Sequence, residues 1–381
     1  MLGLYVHVPF CAAICNYCNF TRGLFDESQK TRFVDALIRE MKTSTGGHDE
    51  KESPTHLPAD SIYFGGGTPS LLTPEEIASI IDAARATFVL APDAEITLEA
   101  NPETVDLPRL EGFRRAGINR LSYGVQSFSD DELKRLGRLH SAERAEEAVR
   151  MARAAGFDNV SLDLMMWLPG QGVAQWLSSV ERAIDVAPDH LSLYILEVYP
   201  HLPLKQEMDA RRWTQVDDEA AAEMYESSMA MLDAAGYEQY EISNVAKAGR
   251  QSVHNLKYWT DGEWWGFGPA AHSTWRGARW RNVAATDDYV RRIAGGASVV
   301  AERRNLPADE RLGDAVFTGL RLNRGVDLSM LSERYSVDIW ERFRERLAPF
   351  GEAGLLVKEG DCIRLTRQGM LMANDVMAVF V

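Results

Sequence analysis

The sequence predicts an α/β protein built on a parallel sheet, and two observations carry that reading. Short β-branched or aromatic runs alternate with amphipathic helical stretches six times in the first 235 residues, the pattern of successive β-α units. Polar and glycine clusters then fall at or just after the ends of those strands: three cysteines, "GGGTPS" (65–70), Glu99, Gln126, Asp163 and Glu197. The C-terminal face of a β/α barrel carries its active site, so the second observation favours a barrel. Alternation alone also fits a doubly wound sheet.

The units follow in order. "LYVHV" (4–8) precedes a helix near 29–42, and "SIYF" (61–64) precedes 74–87, where Thr73, Pro74 and two glutamates make a helix start. "EITLEA" (95–100) precedes 106–116, and "RLSYGVQ" (120–126) precedes helices near 129–136 and 142–155. "VSLDLMMWL" (160–168) leads into 173–186, and "HLSLYIL" (190–196) into a longer helical region near 217–235. Residues 1–235 are therefore expected to form the core, 236–304 a tryptophan-rich region, and 305–381 a separate module. That last stretch reads as two helices, a "LLVKEGDCIRLT" hairpin and a final helix, a winged-helix-like order. It has no dense Lys/Arg stripe, so packing or protein contact is expected of it rather than DNA binding.

Composition narrows the function classes. A chain of 381 residues has room for one large domain and a smaller one. A net charge of −15 repels polyanions and argues against broad nucleic-acid binding. No apolar run reaches membrane-spanning length. "MLGLYVHVPF" lacks the basic start and cleavage site of a signal peptide and is expected to be the first strand. Four cysteines, three of them clustered, point to a reducing compartment, so a cytoplasmic location is expected. The polar stretch 43–60 is expected to be a surface insertion.

Cys11, Cys15 and Cys18 lie within eight positions in "FCAAICNYCNF". Soft thiolates select zinc, copper(I) or iron–sulfur. Structural zinc takes four ligands, and no second Cys/His pair follows at suitable spacing. A [4Fe–4S] cube needs one ligand per iron, so three thiolates leave one iron open to a substrate or cofactor. Cys362 stands alone in the hairpin and is expected to be a packed thiol.

"CAAICNYC" is the CxxxCxxC signature of the radical S-adenosylmethionine (SAM) superfamily, which this chain resembles. The resemblance implies a partial (β/α)6 TIM-like barrel, a [4Fe–4S] cluster on the three cysteines, and SAM chelating the open iron. An electron from the cluster would cleave SAM to methionine and a 5′-deoxyadenosyl radical. Tyr17 would meet the adenine, and Gly66, Gly67 and Thr68 of "YFGGGTPS" the amino end of SAM. Glu99 would accept from the ribose hydroxyls, Arg138 would suit the carboxylate, and Tyr5, Gln126, Asp163 and Glu197 join the same set. "LYVHVPFC", "GGGTPS", "GVQSF", "DLMMWLPGQ" and "LSLYILEVYP" are together similar to the oxygen-independent coproporphyrinogen III dehydrogenases and their relatives.

Within that branch, the decarboxylating enzymes carry a cysteine two places after the third ligand, where this chain has Phe20. They also carry an N-terminal arm, which a motif beginning at Cys11 is not expected to accommodate. "HNLKYW" (254–259) is instead similar to the HNxxYW motif of the branch's heme chaperones. Five of the nine tryptophans fall between 259 and 280, with Arg250, Lys257, Arg276, Arg279 and Arg281 nearby. Aromatics can wall a flat pocket, histidine is a common axial ligand and arginine pairs with propionates. His254, Asn255, Tyr258, Trp259 and His272 are accordingly candidates for heme, with the axial ligand open between His254, His272, Tyr258 and a residue elsewhere. The competing reading of composition alone is a Trp-rich core layer with a solvated basic rim. Histidine at 272, where the dehydrogenases have an apolar residue associated with a second SAM, argues against a second SAM here.

The expected function is thus a heme chaperone that hands heme to hemoproteins, and the resemblance implies homodimerisation and membrane-bound respiratory recipients. The runner-up is an oxygen-independent coproporphyrinogen III oxidase. A third possibility is a zinc- or cluster-stabilised interaction protein.

Overall fold

A computed structural model describes residues 1–43 and 57–381, so most of the expected insertion at 43–60 lies outside the described residues. Six strands follow one another in the sheet in chain order and run parallel: β1 (Leu2–Val8), β2 (Pro58–Gly66), β3 (Val89–Ala100), β4 (Arg120–Gln126), β5 (Val160–Met166) and β6 (His190–Ile195). The helices between them lie where the periodicity places them: α1 (Glu27–Thr43), α2 (Pro74–Thr87), α3 (Leu107–Ala116), α4 (Asp130–Arg135), α5 (Ala142–Ala154) and α6 (Val173–Val186). A short α7 (Pro203–Arg211) then precedes α8 (Asp218–Ala234). The start of α2 is closed by a capping box, in which Thr73 accepts from the Glu76 amide and Glu76 from the Thr73 amide.

Strand alternation divides the sheet into two chemically different faces. Leu4, Val6, Ile62, Phe64, Ile96, Leu98, Leu121, Leu162 and Leu191 are buried in the main core with α1, α2 and α6. The opposite face is polar, and strand register sets its residues side by side. Tyr5 lies beside Tyr63, Tyr63 beside Thr97, and Thr97 beside Arg120. Glu99 adjoins Ser122, and Gly124 adjoins Asp163. This is the partial barrel expected of the chain, with a polar lumen.

Residues 236–304 extend the same sheet at both edges. β7 (Glu238–Glu241) and β8 (Asn244–Ala246) form a hairpin on β6. At the other edge β9 (Trp264–Phe267) runs parallel to β1, and β10 (His272–Trp275), β11 (Ala278–Asn282) and β12 (Val300–Asn305) continue as an antiparallel meander. The sheet therefore has 12 strands. Trp265 packs on Trp275 and Trp280 at 5.5 and 4.8 Å, and all three are buried, so these tryptophans form a core layer.

The HNxxYW segment is a helix, α9 (Val253–Trp259), docked by its N-terminus against the polar lumen. Glu95 accepts from the backbone amides of Val253 and His254 at 3.0 and 3.1 Å, which places a carboxylate on unpaired helix donors. Residues 236–304 also hold α10 (Thr286–Ala294), which packs on α1, and the C-terminal module then brings α11 (Ala308–Gly319), α12 (Leu328–Tyr335) and α13 (Ile339–Glu352). A three-stranded sheet completes it, with β13 (Val326–Asp327) between α11 and α12, and β14 (Leu356–Glu359) and β15 (Cys362–Leu365) after α13, in the order β13-β15-β14. It has one helix more before the hairpin than the sequence reading, and its two helices after the hairpin are short, α14 (Arg367–Leu371) and α15 (Ala373–Met377).

Candidate functional site

The three cysteines sit on the loop that leaves β1. Its base is fixed by the Phe25 amide donating to the Cys11 carbonyl at 3.0 Å and the Gly23 amide to the Pro9 carbonyl at 2.7 Å. Its tip is fixed by the Cys18 amide donating to the Cys15 carbonyl at 3.2 Å, and by Asn16 Nδ2 to the Arg135 carbonyl at 2.6 Å. All three side chains line a cavity of about 410 Å³ at the C-terminal ends of the parallel strands. Gly67 admits that loop, because a Cβ there would lie 2.6 Å from the Phe10 carbonyl oxygen and 3.0 Å from Cys11 Sγ. Burial pushes the Cys11 and Cys18 thiols up, while a hydrogen bond from Thr68 pulls Cys11 partly back. Among the described residues, no three His, Cys, Asp or Glu side chains gather as ligands of one ion. Thiols spread around a cavity suit a multinuclear group in which each sulfur takes its own metal atom.

Tyr17, Gly66, Gly67, Thr68, Glu99, Gln126, Arg138, Asp163 and Glu197 line the same cavity. Arg138 is anchored by Asn101 Oδ1 and the Gly124 carbonyl, both at 2.7 Å, and donates to Cys15 Sγ at 3.5 Å. Its Nε is buried without a partner. Gln126 sits where β4 slips register against β5, in left-handed backbone at φ 70°, and its Oε1 is buried and unpartnered. A bulge re-aims a side chain in this way, and a strained non-glycine residue at a cavity points to a ligand. Glu99 accepts from Tyr63 Oη at 2.8 Å and from the Gly66 amide at 3.2 Å. Burial raises its carboxyl to about 7 and that of Asp163 to about 6. Unpaired donors and acceptors, two poised carboxyls and three thiols fit a polar, hydroxyl-bearing cofactor beside an iron–sulfur group. Asn101 escaped the sequence reading, although its place two residues after Glu99 was a signal; it holds both Arg138 and Thr68 Oγ1.

Tyr5 lies one cavity over. It lines an adjoining space of about 500 Å³ with His7, Tyr258, Trp264, His272 and Arg281. The two cavities share Asn19, Phe20, Gly66 and Glu99 as a common wall. Of the five heme candidates, Tyr258 and His272 line this space and His254, Asn255 and Trp259 do not. Trp259 instead stacks under the Arg321 guanidinium at 4.4 Å.

Comparison with known proteins places the chain. Residues 5–183 match the Radical SAM superfamily and 306–372 the HemN C-terminal domain. Heme chaperone HemW of Bacillus subtilis is 35% identical across 100% of this chain and 99% of its own length. The chain belongs to the HemW family of radical SAM proteins. HemW of Mycobacterium tuberculosis is 37% identical over 98% of this chain and 93% of its own. A mitochondrial radical SAM domain-containing protein 1 from Bos taurus is 32% identical over 98% and 86%. The solved structure of coproporphyrinogen III oxidase (HemN) from Escherichia coli superposes with a TM-score of 0.85 at 23% identity, covering 100% of this chain and 89% of that one. It shares the fold. HemW membership within the radical SAM superfamily implies a [4Fe–4S] cluster and SAM, and the thiol cavity has the donors for both.

Proposed function

We propose that this chain is a HemW-type heme chaperone. Residues 1–235 hold a [4Fe–4S] cluster and SAM, residues 236–304 supply one side of a heme pocket whose other side comes from the barrel, and residues 305–381 support it. The observation that carries the reading is the pair of adjoining cavities with a shared wall, one ringed by three thiols, the other walled by Tyr258 and Trp264 with an imidazole and a guanidinium. When bound, the cluster supplies an electron at an iron that SAM can chelate. Cys11, Cys15 and Cys18 would hold it, Arg138 and Gln126 would orient SAM, and Glu99 and Asp163 would accept from its hydroxyls. Arg281 would pair with a propionate at the rim of the second cavity. Heme then passes to recipient hemoproteins, including membrane-bound respiratory ones, from a chain expected to be cytoplasmic and to dimerise. No described helix is long and apolar enough to cross a membrane.

The test is an absorbance titration of anaerobically reconstituted protein with hemin, alongside iron and sulfide analysis. Saturable heme binding, with about four irons and four sulfides per chain, is the expected result; absence of saturable binding overturns the reading. Incubation with coproporphyrinogen III, SAM and a reductant is expected to give no vinyl product. Sustained turnover there would make the chain an oxidase instead.

A further inference from the structure

Three histidines stand near the second cavity, and their surroundings differ in a way that assigns them different parts. His254 is 1% exposed. Its Nδ1 lies 3.0 Å from Ser61 Oγ and its Nε2 2.9 Å from Tyr258 Oη, so both ring nitrogens are already used inside the protein. Its ring stacks on Tyr63 at 5.2 Å, and burial depresses its pKa to about 3. His7 is likewise engaged, with Nε2 at 2.9 Å from the Thr21 carbonyl and Nδ1 at 3.2 Å from Tyr5 Oη. An imidazole binds a metal through one free nitrogen while the other is oriented by the protein. Neither of these two has a nitrogen to give.

His272 does. It is exposed on β10, its ring opens on the cavity, and no described residue hydrogen-bonds either ring nitrogen. Arg281 is its cross-strand neighbour on β11. That guanidinium meets Glu302 at 3.3 Å in a pair more than half exposed on both sides, a contact weak enough to yield to a stronger anion. An imidazole with both nitrogens open and a weakly paired guanidinium thus stand side by side at the cavity edge.

His254 reaches this pair through contacts. It holds the Tyr258 hydroxyl; the Tyr258 ring meets Trp264 edge-on at 4.7 Å and 84°; and Trp264 Nε1 donates to the His272 carbonyl at 3.1 Å. Resting on the heme reading above, we infer that His272 is the axial ligand of the heme iron, and that the HNxxYW histidine, His254, is a positioning residue that sets the aromatic wall and the His272 backbone.

Hemin titrations followed by absorbance and electron paramagnetic resonance test this, with apo-protein melting and cluster content as folding controls. His272→Gly is expected to abolish the histidine-ligated spectrum, and added imidazole to restore it. His254→Gln and Tyr258→Phe are expected to keep that spectrum while weakening binding by about tenfold, the lower end for groups that support a ligand without touching the metal. Tyr258→Phe cuts the same chain at the cavity wall, so it decides the matter if His254→Gln fails to fold. An unchanged spectrum in His272→Gly overturns the assignment, as does its loss in Tyr258→Phe with wild-type behaviour in His272→Gly. If wild-type protein binds no heme saturably, the heme reading itself has failed and the ligand assignment falls with it.

Discussion

Single side chains at the thiol cavity are held ready rather than at rest. Gln126 occupies left-handed backbone with its side-chain Oε1 unpaired, and one neutral hydrogen bond contributes about 1 kcal/mol. We expect Gln126→Ala to weaken SAM binding about fivefold, by the arithmetic of affinity, read as the SAM-dependent change in the resonance of the reduced cluster. Glu99 and Asp163 titrate near 7 and 6 because burial disfavours their charge. A carboxylate accepts from ligand hydroxyls better than a carboxylic acid does, so SAM affinity should rise as pH climbs through 6 to 7. Glu99→Gln should blunt that rise; an equally steep profile in the variant would refute the role. The thiols and most polar groups of this cavity were legible in the sequence because they lie in a parallel strand, like Glu99 and Asp163, or in the segment that follows one, like the thiols and Thr68. His254 and His272 were not separable there, since spacing says nothing about which ring nitrogens the fold consumes.

At the level of elements, two buried carboxylates fasten distant parts of the chain. Arg120 is 1% exposed; burial opposes its charge, but the Glu95 carboxylate, with Asp163 adding to it, more than offsets this and keeps it protonated. Glu95 also holds the first amides of α9. Glu95→Ala leaves a buried cation unpaired, which costs about 3–5 kcal/mol, and the melting temperature should fall accordingly. The double variant with Arg120→Met should recover part of the loss. Glu40 on α1 accepts from the Gly268 amide, Asn282 Nδ2 and Tyr289 Oη at 2.7–2.8 Å, tying α1 to the β9–β11 region. Burial raises its carboxyl from 4.5 to about 7. Between those values the folded chain keeps a proton that the unfolded chain has released, so stability declines as pH rises across that window, by up to about 3 kcal/mol. Glu40→Gln should flatten that part of a melting-temperature profile against pH. The helices and parallel strands were readable from local periodicity. The pairing of β9 with β1 was not, because it joins residues some 260 positions apart and no local pattern encodes it.

Across the whole molecule, one apolar core runs from the barrel into the C-terminal module, with Phe64, Trp280 and Tyr289 in the same cluster as Leu312, Phe343 and Phe380. Polar links reinforce the junction: Arg321 meets Glu241 at 2.9 Å, and Tyr335 Oη donates to Asp261 at 2.8 Å. Barrel and module should therefore unfold in a single cooperative step, and a split calorimetric endotherm would contradict this. The change of texture near residue 305 did mark the module. The sequence could not show how it is attached, because Trp259 is conspicuous as an aromatic but its partner Arg321 lies beyond the texture change.

The edge of β1 is completed by residues 264–267. On a ribosome adding roughly 5–20 residues per second, the thiol loop emerges well before the strand that finishes the neighbouring compartment. The three thiols stand on the nascent chain while the adjoining cavity still lacks Tyr258, Trp264 and His272 from its wall. A fragment released before residue 264 therefore carries the thiol loop but no finished wall for the adjoining cavity.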